Sequence, residues 1–144
     1  MHLKLTKSKI VQVIHSHSKK NTIRGMHYQI NPYEEEKLVR CSKGKIFDVI
    51  IDIRKNSKTF KKWIGVELSE KNSRMIYIPK GMAHGFLTLD DNTEIVYQIS
   101  QYYSLEHSKG IRWNDPEFSI KWPNEISILS EKDKNYVDFN ENEL

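Results

Sequence analysis

Lys45-Ile-Phe-Asp-Val-Ile-Ile-Asp-Ile-Arg54 sets Phe47, Val49, Ile51 and Ile53 at every second position, with Asp48 and Asp52 on the other parity. Successive side chains of a strand point to opposite faces, so this period of two predicts a β-strand with one apolar face. Lys43-Gly44 just before it predicts a tight turn, because glycine reaches positive φ without a Cβ clash. Working outward, short strands are also predicted around residues 24–29 and at 63–68, 74–79, 85–89 and 94–100. Turn-rich residues 69–73 and Asp90-Asp91-Asn92 separate them. Strands at this spacing predict an all-β sandwich or barrel, of which the jelly roll is one solution. The C-terminal part changes character. Trp113-Asn-Asp-Pro116 and Trp122-Pro123 read as loops packed down by tryptophan, and Ser130-Glu-Lys-Asp133 reads as a capped helix start. The last ten residues, with Asp138, Glu141 and Glu143, read as a polar, frayed tail.

The chain has 144 residues, which predicts one domain able to bury a core without staples. Its single cysteine, Cys41, excludes an intrachain disulfide and reads as a small buried hydrophobe on a strand. The net charge of +4 suits an anionic partner. The lysines are scattered and form no basic stripe or recognition-helix signature, so nucleic acid binding is not expected. No run of about 18 apolar residues and no charged-then-apolar leader is present, so neither a membrane span nor secretion is expected, and a cytoplasmic location is.

Several separated motifs follow one another in the chain: Arg24-Gly-Met-His-Tyr-Gln29, Lys37-Leu-Val-Arg40, Gly44-Lys-Ile-Phe-Asp-Val49, Pro79-Lys-Gly-Met-Ala-His-Gly-Phe86, Val96-Tyr97, Gly110-Ile-Arg-Trp-Asn-Asp-Pro116 and Leu129-Ser-Glu-Lys-Asp133. In this order they resemble the dTDP-4-dehydrorhamnose 3,5-epimerase family, deoxysugar-nucleotide epimerases that are metal-free cupins, and the similarity spans roughly residues 12–133. The resemblance implies one cupin-like jelly-roll epimerase domain over residues 1–144. Residues 1–10 would be an N-terminal segment shorter than the family's, and 124–144 a C-terminal helical extension. It also implies a homodimer with no cofactor, acting on a nucleotide-diphosphate 4-keto-6-deoxy sugar in deoxysugar biosynthesis of the dTDP-L-rhamnose type. The family's Asp-x-Arg-Gly-x-Phe-x-Glu pattern is absent ahead of Gln12. Ile14 stands where the family usually has an asparagine that contacts the nucleobase.

Inverting a carbon beside a ketone needs a base on one face, a proton donor on the other, and a partner for the enolate oxygen. The resemblance gives His27 the part of base, since a neutral imidazole can accept a carbon-bound proton once the adjacent carbonyl is polarised. It gives Asp133 the part of orienting His27, although Asp133 also fits as the acid of a capping box on Ser130. Tyr97 shares a face with Ile95 and Ile99, which suits either the opposing acid or a core tyrosine. Lys37 is the candidate for the enolate oxygen or a phosphate; beside Glu34-Glu35-Glu36 it also reads as a surface ion pair. Gln12, Arg24, His84, Tyr102, Tyr103 and Lys132 complete the implied substrate site, with His84 placed where a turn enters a strand. Strict alternation would put Arg24 and His27 on opposite faces, so Gly25 must bulge or bend for both to reach one pocket. His15-Ser-His17 is the start of a metal site in many cupins, but no acid and third histidine follow at suitable spacing. The pair reads as exposed residues near a turn, with no metal expected. Two other readings remain open from sequence: a binding relative without turnover, and a metal-dependent cupin enzyme built on His15 and His17.

Overall fold

The computed structural model describes residues 7–144; residues 1–6, which open the predicted 1–10 segment, lie outside the described residues. Within the described chain the strands are β1 (Gln12–Ser18), β2 (Ile23–Gln29), β3 (Lys37–Lys43), β4 (Lys45–Asp52), β5 (Trp63–Ser69), β6 (Met75–Ile78), β7 (Met82–Thr88), β8 (Thr93–Ile99) and β9 (Ser108–Gly110), followed by a short helix α1 (Glu131–Lys134). They form a four-stranded sheet in the order β1-β8-β3-β6 and a five-stranded sheet in the order β5-β4-β7-β2-β9. The strand pairs are antiparallel. The two sheets face each other, so the all-β jelly-roll expectation holds.

The alternating stretch that predicts β4 lies at the heart of this arrangement, and both of its faces are buried. Ile46 and Ile50 point between the sheets, where they meet Val39, Ile95 and Phe86. Phe47, Val49 and Ile51 point the other way, into a second cluster closed by Phe118, Ile120, Trp122 and Phe139 from the C-terminal segment. Each such buried aliphatic or aromatic side chain contributes roughly 1.5–3 kcal/mol. The predicted tryptophan-packed loops hold this cover in place: Trp63 Nε1 donates to the Phe118 carbonyl at 3.0 Å and Trp122 Nε1 to the Trp113 carbonyl at 2.9 Å.

Two local expectations are sharpened and two change. His15 and His17 are exposed near the turn at Lys20-Asn21, within strand β1, which pairs along its whole length with β8. His84 lies where the turn at Gly81 enters β7, and it is buried there. Residues 108–110, not predicted as a strand, pair with β2 as β9. The final ten residues are not simply a frayed tail: Phe139 and Leu144 pack on the outer core, and the Phe139 amide donates to Asp115 at 2.7 Å. Cys41 is buried as expected. Loss of solvent raises its thiol to about 11, opposed by a hydrogen bond to the Lys43 carbonyl and reinforced by Glu70 and Asp90.

Candidate active site

One cavity of about 290 Å³ opens between the two sheets. From the five-stranded sheet it receives Arg24, His27, His84 and Phe86; from the four-stranded sheet, Gln12, Lys37 and Tyr97; and from the C-terminal part, Tyr103 and Lys132. The register of β2 against β7 slips between Arg24 and His27. That bulge restores both side chains to the inner face, as the alternation argument required. Gly25, at φ 113°, makes it possible: a Cβ there would come within 2.7 Å of the His84 carbonyl and 2.8 Å of the Gly85 Cα.

His27 Nε2 lies 2.6 Å from Asp133 Oδ1. The other carboxylate oxygen accepts the Gly25 amide at 3.0 Å. Asp133 is buried, and its own amide donates to the Ser130 side chain at 3.1 Å, so it serves the helix cap and the histidine at once. Burial by itself would raise its carboxyl; the bonds from His27 and Gly25 and the charge of Lys132 outweigh that and hold it below its ordinary value. With Nε2 engaged, Nδ1 is the His27 nitrogen left for a substrate proton.

Tyr97 stands on the opposite sheet, its ring 6.1 Å from those of His84 and Phe86. Loss of solvent pushes its phenol far above the ordinary value, the Asp48 charge adds to this, and Arg24 and Ser16 oppose it only in part. Lys37 is paired with Glu35 at 3.1 Å, and both side chains are mostly buried in the cavity wall (11% and 14% exposed), so this is no surface ion pair. Arg24 rests both Nε and Nη2 on the Ser18 hydroxyl at 3.3 Å. Lys132 and Tyr103 meet at the rim, with Nζ 3.4 Å from the phenol oxygen.

Tyr102 stays apart. It is 63% exposed and is not among the residues lining the cavity; its carbonyl accepts from Gln29 at 3.1 Å. His15 and His17 project from the outer face of β1, with His15 Nε2 3.4 Å from Glu94. Among the described residues no group of three or more histidine, cysteine or acidic side chains is arranged to hold a metal ion.

Three residues not singled out from sequence belong to the site. Asp48 Oδ1 lies 2.7 Å from His84 Nε2, and both side chains are almost completely buried. An acid placed inside the strongest apolar strand of the chain was the available signal for it. Glu35 was hidden in an acidic run. Tyr136, three residues beyond Asp133, packs edge-on against His27 with ring centroids 6.3 Å apart, and nothing in the local sequence marks it.

The profile of the dTDP-4-dehydrorhamnose 3,5-epimerase family matches residues 1–141. The enzyme of that name from Shigella flexneri is 50% identical over 129 residues, covering 90% of this chain and 71% of the relative. The one from Escherichia coli K12 is 50% identical over 125 residues, covering 86% and 68%. A crystal structure of the Bacillus anthracis epimerase with TDP and PPi bound superposes with a TM-score of 0.90 at 44% identity, covering 93% of this chain and 77% of that one. A Legionella pneumophila epimerase in complex with dTDP-4-keto-L-rhamnose gives 0.84 at 40% identity, covering 89% and 68%.

Proposed function

Because this chain belongs to the dTDP-4-dehydrorhamnose 3,5-epimerase family, we propose that it inverts carbon centres beside the ketone of a dTDP-linked 4-keto-6-deoxy sugar in deoxysugar biosynthesis. One observation carries the reading of how it does so. A histidine held by a buried carboxylate and a phenol kept protonated face the same cavity from opposite sheets.

His27 Nδ1 takes the proton from the carbon next to the ketone, and the electron pair of that C–H bond moves to the carbonyl oxygen. Asp133 supports the imidazolium that results. The Lys37 ammonium and the His84 imidazole, fixed by Asp48, are the groups suited to the enolate oxygen. Tyr97 then gives its phenol proton to the same carbon from the other face, and the enolate electrons return to form the new C–H bond. Solvent reprotonates the phenolate and removes the proton from His27. Arg24, Lys132 and Gln12 are suited to the diphosphate and nucleoside, with Tyr103 at the rim for the base.

Self-association as a homodimer and a cytoplasmic location are part of the same reading. Val13 and Met75, 61% and 52% exposed, lie on the outer face of the four-stranded sheet and support a contact between copies there; light scattering reading a monomer at micromolar concentration would remove it. No helix of the described residues is long and apolar enough to cross a membrane. The test of activity is proton NMR of dTDP-4-keto-6-deoxy-D-glucose with the protein in D₂O. Deuterium entering beside the ketone is the expected result, together with its loss in His27→Asn. Exchange that survives in His27→Asn would take the base from His27.

A further inference from the structure

Behind His27, the structure stacks two layers that the reaction scheme does not use, Gly110 and the Tyr136 ring. Gly110 is the direct β9 partner of His27. The Tyr136 ring lies flat against it, so closely that a Cβ on Gly110 would sit 2.0 Å from the phenol-bearing ring carbon. The same ring meets the imidazole edge-on at 73°. Its backbone is anchored as well, because Arg112 Nη1 donates to the Tyr136 carbonyl at 2.9 Å. The hydroxyl is completely buried, and no acceptor meets it at ordinary hydrogen-bond distance and angle. A buried donor left unmade is rare in folded proteins and calls for a reason.

The reason stands beside it. Loss of solvent raises the Tyr136 phenol, and the largest charge acting on it in the same direction is the Asp133 carboxylate, which also stands within reach of its hydroxyl. Asp133 accepts one bond from His27 and one from Gly25, while an ionised carboxylate has about four acceptor positions. A donor without an acceptor thus adjoins an acceptor with room to spare.

We infer that Tyr136 is a positioning residue for the epimerase reaction, its hydroxyl acting as a third donor to Asp133 that limits how strongly the carboxylate holds a charged His27. This rests on His27 being the base. A carboxylate that already receives two hydrogen bonds plus a phenol proton stabilises an adjacent imidazolium less, so His27 returns to its neutral, proton-accepting form more readily. The ring itself closes off the rear of the imidazole from water.

The other groups facing His27 are His84 with Asp48 from the β7 side, Lys132 and Asp133 from α1, Tyr103 at the rim, Arg24 from its own strand, and Lys37 and Tyr97 across the cavity. Tyr136→Phe leaves all of them in place and removes one hydroxyl. The pH dependence of α-proton exchange is therefore measured in D₂O for the parent, Tyr136→Phe and His27→Asn, with circular dichroism to confirm folding. The expected result is that the acid limb of the Tyr136→Phe profile moves to higher pH by about half a unit, with KM unchanged. A profile that superposes on the parent's would overturn the inference and reduce Tyr136 to packing. Exchange retained in His27→Asn would instead strike the reading of His27 as base, so the two failures are distinguishable.

Discussion

His27 and His84 are direct cross-strand partners in the β2–β7 ladder, yet each is bonded through Nε2 to a carboxylate from a different part of the chain. Asp133 reaches His27 from α1, and Asp48 reaches His84 from β4. The pairs differ in access: the His27 side chain is 38% exposed, His84 only 4%. A base must exchange its proton with substrate and solvent in every turnover, which suits the open pair. The closed pair is suited to holding a fixed charge distribution against a substrate oxygen.

Asp133→Asn keeps the size of the side chain and removes its charge. Deuterium exchange at neutral pH is expected to fall by about 10²–10⁴-fold, the range for loss of an effective general base. The native carboxyl is held below its ordinary value. It therefore contributes stability that is present above the unfolded value of about 3.9 and is lost as pH falls below it. Urea unfolding of parent and variant is accordingly expected to differ at pH 7 and to draw together as pH falls below that value. An Asn variant that exchanges at the parent rate would separate Asp133 from the chemistry.

Tyr97→Phe separates the two half-reactions. Proton removal by His27 continues, so deuterium still enters the substrate, but without the phenol it returns on the face it left. Formation of inverted product is expected to drop by about 10²–10⁴-fold while exchange persists. The raised phenol also predicts a stability effect: the native form keeps its proton while the unfolded chain releases it near pH 10, so the parent loses stability as pH rises beyond that value. The Phe variant, lacking this phenol, should show a smaller loss, because Cys41 and Tyr136 still contribute theirs. Inversion at the parent rate by the Phe variant would rule out Tyr97 as the donor.

Asp48 is completely buried, and its second oxygen has no hydrogen-bond partner. Removing one member of a buried hydrogen-bonded pair leaves the other unsatisfied, so Asp48→Ala is expected to cost about 1–3 kcal/mol in urea unfolding at pH 7. A loss below about 0.5 kcal/mol would mean that the bond between Asp48 and His84 adds nothing to the fold.

The strands were legible because their signal is local. Phe47, Val49 and Ile51 announce β4 wherever the rest of the chain goes. What the alternation does not tell is that both of its faces are covered, since the outer cover comes from Phe118, Trp122 and Phe139, some seventy residues on. β1 escaped because three of its four inward residues, Gln12, Ser16 and Ser18, are polar: they face the cavity and the Arg24 side chain rather than a core, and only Ile14 among them is apolar. The bulge at Gly25 was legible as a requirement, because two side chains of opposite parity had to share a pocket. His27 with Asp133 came from resemblance, for no local rule links residues 106 positions apart. Asp48 showed only as an acid inside an apolar strand, with no sign of its partner, and Tyr136 lay beyond both routes. Their neighbours His84 and His27 are set by register and by the path of the C-terminal segment, neither of which is written in nearby sequence.

Asp52 offers a test of the frame apart from the chemistry. It is nearly buried at the end of β4, where Arg54 donates Nε at 3.0 Å and Nη2 at 2.9 Å to its two oxygens. The Ser57 and Thr59 hydroxyls donate to it as well, which pins the β4–β5 connection. Burial would raise this carboxyl, but the bonds from Arg54, Ser57 and Thr59 overcome it and hold it well below the usual carboxylate range. Asp52→Ala is expected to destabilise by about 1.5–3 kcal/mol at pH 7, the worth of hydrogen bonds to a charged group. Because the folded value is depressed, that contribution is present above about pH 3.9 and fades as pH falls below it. The loop is not part of the cavity wall, so deuterium exchange at 25 °C should be unchanged in the same variant. A variant that lost exchange while keeping full stability would show that this loop reaches the substrate after all.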